Sequence, residues 1–205
     1  MKLETLDRFA GRLPAGDLWI FGYGSLMWNP GFRYLRKHPA RLFGVHRALC
    51  VRSTDHRGTA EQPGLVMGLA RGGSCHGMAF LVPREHVAVT LAVLWRREMP
   101  NQIYHPRLLD VRIGARCVRA LAFTVDRTHE HYAGNLPAEE IARRVVACRG
   151  QRGSNIEYVL NTVSHLRSLG VRDAHLVAVV SAVRALDARL ETRKFGPTTS
   201  APNRL

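Results

Sequence analysis

Four short stretches of this 205-residue chain hold residue types at spacings that can do chemistry. The first is Gly22-Tyr23-Gly24-Ser25-Leu26, directly after an apolar run. Glycines there let backbone N–H groups come close to a ligand, and a cluster of such groups suits a carboxylate or a developing oxyanion. The Gly-Lys-Ser/Thr ending of a phosphate-binding loop is absent, and Ser25 does not sit in a Gly-x-Ser-x-Gly elbow. A glycine turn after a strand also serves purely structural ends. The second stretch is Trp95-Arg96-Arg97-Glu98 at the C-terminal end of a helix. The helix dipole and partial burial beside Trp95 would both oppose ionisation of Glu98 there. A glutamate tuned upward in this way takes and returns protons near neutral pH. The plainer account is an exposed glutamate neutralised by two arginines.

The third stretch, Ser53-Thr54-Asp55-His56-Arg57-Gly58, is a polar run between two strands. It either holds a charged ligand or locks itself through Asx and Ser/Thr hydrogen bonds. Spacing does not exclude a Ser-His-Asp triad, but nothing marks a serine as activated. The fourth is Gly153-Ser154-Asn155-Ile156-Glu157-Tyr158. Ser154 and Glu157 form a capping box, and Tyr158, one turn into that helix, is either a polar pocket contact or a core tyrosine with a satisfied hydroxyl. The ten histidines are dispersed, without His-Glu-x-x-His or comparable spacing. Cys50, Cys75, Cys117 and Cys148 lie too far apart for a ligand or redox motif. No metal is expected, and the cysteines read as small buried apolar side chains.

The elements that must position these stretches are legible in outline. Strands are expected at 18–23, 42–52, 64–70 and 76–82, rich in Val, Phe and Met and bounded by glycine. After Pro83, Val87, Leu91, Leu94 and Trp95 recur at helical spacing, and Pro100 stops that helix soon after Glu98. A strand at about 118–126 follows. Helices are then expected over 137–148, from the Ser154 cap through Ser168, and from an Asp173 cap to about Leu190. The arrangement is α+β, a strand-rich first half with helices packed on it. It makes one domain over 17–191, with a lead-in at 1–16 and a mobile tail at 192–205.

Composition narrows the function classes. Hydrophobic residues make up 46% and charged residues 22%, ordinary values that exclude disorder for most of the chain. The formal charge is +14, which suits an anionic partner. However, nearly all the basic residues are arginines scattered from Arg8 to Arg204, without the clustering or interleaved aromatics of a nucleic-acid surface. A bias toward arginine accounts for the excess equally well. The longest apolar run near the C-terminus, Leu176-Val177-Ala178-Val179-Val180, is far short of the roughly 20 residues a membrane-spanning helix needs. Glu4, Asp7 and Arg8 stand where a signal peptide needs apolar residues. A cytoplasmic protein without membrane contact is expected.

The order of the four stretches along the chain is more informative than any one of them. Trp19-Ile20-Phe21-Gly22-Tyr23-Gly24-Ser25-Leu26-Met27-Trp28-Asn29-Pro30-Gly31-Phe32 closely resembles the opening of the ChaC-type γ-glutamylcyclotransferases. Ser53 to Gly58 with Pro63-Gly64, and then Cys75-His76-Gly77-Met78-Ala79, are similar to that family's next segments. Trp95-Arg96-Arg97-Glu98-Met99 resembles its catalytic-glutamate segment in the bacterial form, and 153–160 its late motif. The resemblance spans residues 17–190. It implies a compact mixed β-barrel with flanking helices, and an activity that converts glutathione, a small-molecule substrate, into 5-oxoproline and cysteinylglycine without a cofactor. It implies Glu98 as the catalytic acid/base, which calls for a site that raises its pKa and hence for partial burial. It also implies that Ile20, Phe21, Gly22, Tyr23, Gly24, Ser25 and Leu26 hold the γ-glutamyl group and that Tyr158 stands near that pocket. One departure is Pro100-Asn101-Gln102-Ile103-Tyr104, which lacks the glycine many relatives carry before that tyrosine. It bears on substrate preference more than on reaction type. The alternatives are the same ring closure on another γ-glutamyl amine or dipeptide, a basic nucleic-acid-binding protein without turnover, and a serine hydrolase using Ser25 or Ser53. Glu98 and the glycine loop argue against nucleic acid as the partner.

Overall fold

The structure, a computed structural model, describes residues 6–99 and 101–194. Pro100, the expected helix stop, and the tail after residue 194 lie outside the described residues. In chain order the elements are α1 (Leu6–Ala10), β1 (Leu18–Gly22), a 3-10 turn (Ser25–Met27), β2 (Arg36–Ser53), β3 (Gly64–Val82) and α2 (Arg84–Glu98). There follow β4 (Tyr104–Ile113), β5 (Arg116–Val125), α3 (Ala138–Ala147), β6 (Arg149–Gly150), β7 (Gly153–Ser154), α4 (Asn155–Ser168) and α5 (Ala174–Lys194). The first five strands close into a barrel in the order β1-β3-β2-β4-β5. Closure comes from β5 lying parallel beside β1, with Trp19 facing Ala120 and Ile20 facing Leu121. The mixed barrel with flanking helices expected from the family resemblance is the architecture found.

Several elements differ from the sequence reading: β2 starts at Arg36, six residues before the expected strand, and α1, β6 and β7 are not among those expected. The strands expected at 64–70 and 76–82 are one continuous strand, β3, paired with β2 from Ser53–Gly64 to Arg36–Leu81. Gly72 and Gly73, which read as a break, adopt φ of 101° and 70° inside it, opposite a register shift between Phe43 and Val45. A bulge of this kind bends and twists a strand pair without ending it, which lets so long a ribbon curl into the barrel. The strand β4 has no counterpart in the sequence reading, because Pro106, Arg107, Asp110 and Arg112 break its pattern. Its Pro106 is tolerated because β4 pairs with β2 only at Arg112–Arg41 and Val111–Leu42, so near Pro106 only the β5 side of the ladder is in use. The last helix runs to Lys194, past the end expected at Leu190 and into the segment expected to be a mobile tail.

The barrel separates two apolar cores. One holds Phe21, Leu69 and Phe80 against Ile141, Val145, Val159, Val163, Leu166 and Val179 of the three C-terminal helices. The other holds Ile20, Leu121 and Phe123 against Phe9 of α1 and Leu91 and Leu94 of α2. Cys50, Cys75 and Cys148 are buried as expected, whereas Cys117 is exposed near the β4–β5 hairpin end, opposite Arg112. Helix α4 starts as its capping pattern predicts, the Ser154 hydroxyl accepting the Glu157 N–H at 3.2 Å. Its first residue, Asn155, is fully buried and pins the helix to β3. The side chain accepts the Leu65 N–H at 2.6 Å and donates to the Leu65 carbonyl at 2.8 Å. Asn155→Ala leaves both Leu65 groups unpaired in the interior, and urea unfolding should show it about 1–3 kcal/mol less stable than the parent.

Candidate active site

Where β1 ends, the chain turns through Gly22–Gly24 into the 3-10 turn, closed by Met27 N–H donating to Gly24 O at 2.9 Å. Gly22 is needed for packing, since a Cβ there would stand 2.9 Å from Leu26 Cβ. Arg97 of α2 ties this turn to the helix end. It donates to the Ser25 hydroxyl at 2.7 Å and to the Asn29 carbonyl at 2.7 Å, and its Nε lies 3.3 Å from a Glu98 carboxylate oxygen. Thus the glycine turn and Glu98 reach the same place through one guanidinium.

Tyr23, Gly24, Ser25, Leu26, Glu98, Tyr104 and Tyr158 line a cavity of about 740 Å³, within the usual range for a small-molecule pocket. The Glu98 side chain is only 17% exposed. Burial raises its carboxyl above the ordinary glutamate value, and the Arg97 charge only partly opposes this. The partial burial expected of Glu98 is therefore present. Helix α2 itself gains its seat from Trp95, whose ring lies 5.4 Å from Phe9 and 6.3 Å from Phe123.

Two phenols on the wall are held by one backbone unit. Met67 N–H donates to the Tyr158 hydroxyl at 3.1 Å, and the Tyr104 hydroxyl donates to Met67 O at 2.9 Å. Burial pushes Tyr158 up to about 12. Burial and then the Glu98 charge hold Tyr104 well above the usual tyrosine value. Both phenols therefore remain neutral donors or acceptors at any working pH.

The remaining sequence-derived candidates fall into two groups. Thr54, Asp55, His56 and Arg57 join the cavity wall. Ile20, Phe21 and Gly22 do not line it. Ile20 and Phe21 are fully buried, one in each core, because alternate faces of a barrel strand covered on both sides leave neither side chain free. Their contribution is to seat the turn that follows. The serine-hydrolase alternative finds no support, since Ser25 accepts from Arg97 and Ser53 accepts the Arg57 N–H at 3.0 Å. Neither serine hydrogen-bonds a histidine among the described residues. Nor is any group of three or more His, Cys, Asp or Glu gathered there for a metal.

Sequence reasoning missed Arg47, Met67 and the anchoring role of Tyr104. Arg47 is 4% exposed. It donates to Tyr23 O at 2.6 Å and to His76 O, and pairs with Asp173 at 3.2 Å. It thereby braces the glycine turn from behind. An arginine within the apolar run Val45 to Val51 was the available signal, since a buried charge implies a specific partner. The loop before Tyr104, which lacks a glycine, still contains a left-handed residue. Gln102 takes φ of 53°, a left-handed conformation that glycine adopts at less cost.

A family model described as "ChaC-like protein" matches residues 18–186. The chain is 39% identical over 179 residues to the glutathione-specific γ-glutamylcyclotransferase of Escherichia coli strain K12, covering 86% of this chain and 77% of that protein. It is 34% identical over 177 residues to the human glutathione-specific γ-glutamylcyclotransferase 1, covering 81% and 78%. Among solved structures, a γ-glutamylcyclotransferase specific to glutathione from yeast superposes with a TM-score of 0.77 at 22% identity, covering 83% of this chain and 96% of that one. That likeness shows the shared barrel. From the barrel, the collinear motifs and these matches together, the chain belongs to the ChaC-like family.

Proposed function

We propose that this chain cleaves glutathione into 5-oxoproline and cysteinylglycine, by attack of the substrate's own α-amine on its γ-carbonyl. The observation that carries the reading is the buried carboxylate of Glu98, tied through Arg97 to a glycine turn on the wall of one cavity. Relatives of 39% and 34% identity are named for this activity, which supports it.

The substrate supplies its own nucleophile, so the protein has to fold it rather than attack it. Holding the amine against the carbonyl is equivalent to roughly 10⁵–10⁸ M of reactant. The N–H groups of Tyr23 and Gly24 take no protein acceptor among the described residues and are assigned to the α-carboxylate or the oxyanion. Glu98 removes a proton from the α-ammonium, which frees the lone pair that forms the new C–N bond. The tetrahedral intermediate collapses with loss of the bond to the cysteinyl nitrogen, which Glu98 protonates as it leaves. In total the α-nitrogen gives up two protons in becoming a lactam N–H, and the cysteinyl nitrogen gains two in leaving as an ammonium. No net proton, metal or covalent enzyme intermediate enters the balance. Tyr158 and Tyr104, neutral and held by Met67, shape the wall beside the reacting atoms. The reading carries the cytoplasmic placement with it, because a thiol peptide is kept reduced there.

The test is the purified protein incubated with glutathione, with both products quantified. Equimolar 5-oxoproline and cysteinylglycine are expected. Product from another γ-glutamyl donor but none from glutathione would keep the ring closure and replace the substrate. Silence on every donor would overturn the reading.

A further inference from the structure

The cavity has a second charged wall that ring closure does not use. The 53–58 loop and the turn between β6 and β7 are locked together by backbone. Gln151 N–H donates to Asp55 O at 2.9 Å and Arg152 N–H to His56 O at 3.0 Å. Gly150 packs so closely on the backbone of Asp55 and Arg57 that a Cβ would collide with it. These contacts hold Arg152, His56 and Arg57 on the lining of the same cavity.

These three side chains are not equally committed. Arg57 donates to Ser154 O at 3.1 Å, stands 3.9 Å from Glu157, and lies 5.3 Å over the Tyr158 ring. His56 stands 3.5 Å from the Asp55 carboxylate. Arg152 is exposed and has no carboxylate partner among the described residues. Its charge nevertheless reaches its neighbours, since burial and then Arg152 push the His56 imidazole below its usual value. Arg57 and His56 thus each stand beside an acid, Glu157 and Asp55, whereas Arg152 does not, and an anion docking at Arg152 would supply the partner it lacks.

The substrate of the proposed reaction carries one such anion beyond its scissile bond. The Tyr158 hydroxyl lies 3.9 Å from where a Gly24 Cβ would stand, while its ring carries the Arg57 guanidinium. One tyrosine side chain therefore spans from the glycine turn to the cationic wall. In an extended cysteinylglycine, the terminal carboxyl carbon is about 6 Å from the scissile nitrogen, so that carboxylate must meet the lining of the same cavity. We propose that Arg152, backed by His56 and Arg57, forms a subsite for the terminal carboxylate of the departing dipeptide and so selects donors that end in a free carboxylate. This rests on the cyclotransferase reading above.

The test compares the wild type with Arg152→Ala on two donors, glutathione and glutathione with a C-terminal amide, following 5-oxoproline. Because Arg152 is exposed, its removal spares the core. The wild type should favour glutathione over the amide about tenfold in kcat/KM, mainly through KM. Arg152→Ala should lose most of that preference, with KM for glutathione rising about tenfold, and Arg152→Lys should regain part of it. A wild type without preference, or an Arg152→Ala that keeps it, overturns the subsite while leaving the reaction intact. No 5-oxoproline from either donor with the wild type would instead sink the cyclotransferase reading and the subsite with it.

Discussion

Glu98→Gln should lower 5-oxoproline formation by about 10²–10⁴-fold, the usual contribution of a positioned acid/base, and should raise the thermal midpoint at neutral pH. The two effects have one cause. Burial holds the Glu98 carboxyl above the ordinary glutamate value of about 4.3, against the pull of Arg97 at 3.3 Å. The folded state therefore binds this proton more tightly than the unfolded chain does. Below about pH 4 the group costs nothing. Stability is lost as pH climbs from the unfolded value to the raised folded value, and above that the penalty is complete. Glutamine carries no charge and escapes it, while Arg97 keeps its bonds to Ser25 and Asn29. The gain in midpoint of Glu98→Gln over the wild type should thus grow with pH across that window and then level off. In the wild type the acidic limb of kcat/KM should lie above that of an ordinary glutamate. An active Glu98→Gln would remove Glu98 from the mechanism. A midpoint difference that does not change with pH would remove the raised carboxyl from the account.

Arg47→Met should destabilise the fold by about 3–5 kcal/mol, the cost of breaking a buried charge pair from one side. For a chain of this size that is a fall in midpoint of roughly 6–20 °C. Three groups lose their donor at once: Tyr23 O, His76 O and the Asp173 carboxylate. Asp173 is 18% exposed and still accepts the Leu176 N–H at 3.1 Å, so it retains some compensation. Tyr23 is the greater loss, because its carbonyl is where the glycine turn is held. At temperatures well below the variant's midpoint, kcat should therefore also fall, and Arg47→Lys should recover part of both effects. A variant within about 1 kcal/mol of the wild type in urea unfolding would show that Arg47 braces nothing.

The family, and with it the proposed reaction, was legible in the sequence because it rests on local patterns. The glycine turn follows its strand within a few residues, Ser154 caps through the N–H three positions on, and Glu98 closes a helix whose apolar spacing announces it. Such features depend on neighbours along the chain, and four of them in order identify a family. The tertiary structure decided what joins distant segments. It carried β3 across two glycines that read as a break, because Gly72 and Gly73 form a bulge opposite the single Gly44 of β2. It admitted β4 despite Pro106, because most of that strand pairs on one side only. It buried Ile20 and Phe21 in the cores and left the turn after them to face the cavity. Arg47 meets Asp173 across 126 positions, and Met67 meets Tyr158 across 91 and Tyr104 across 37. Whether a buried polar group is stable depends on a partner brought by the fold and not on its neighbours in sequence. For the same reason the residue types pointed to the chemistry, while the burial of Glu98, the brace on the glycine turn and the wall around Arg152 were settled only when the barrel closed.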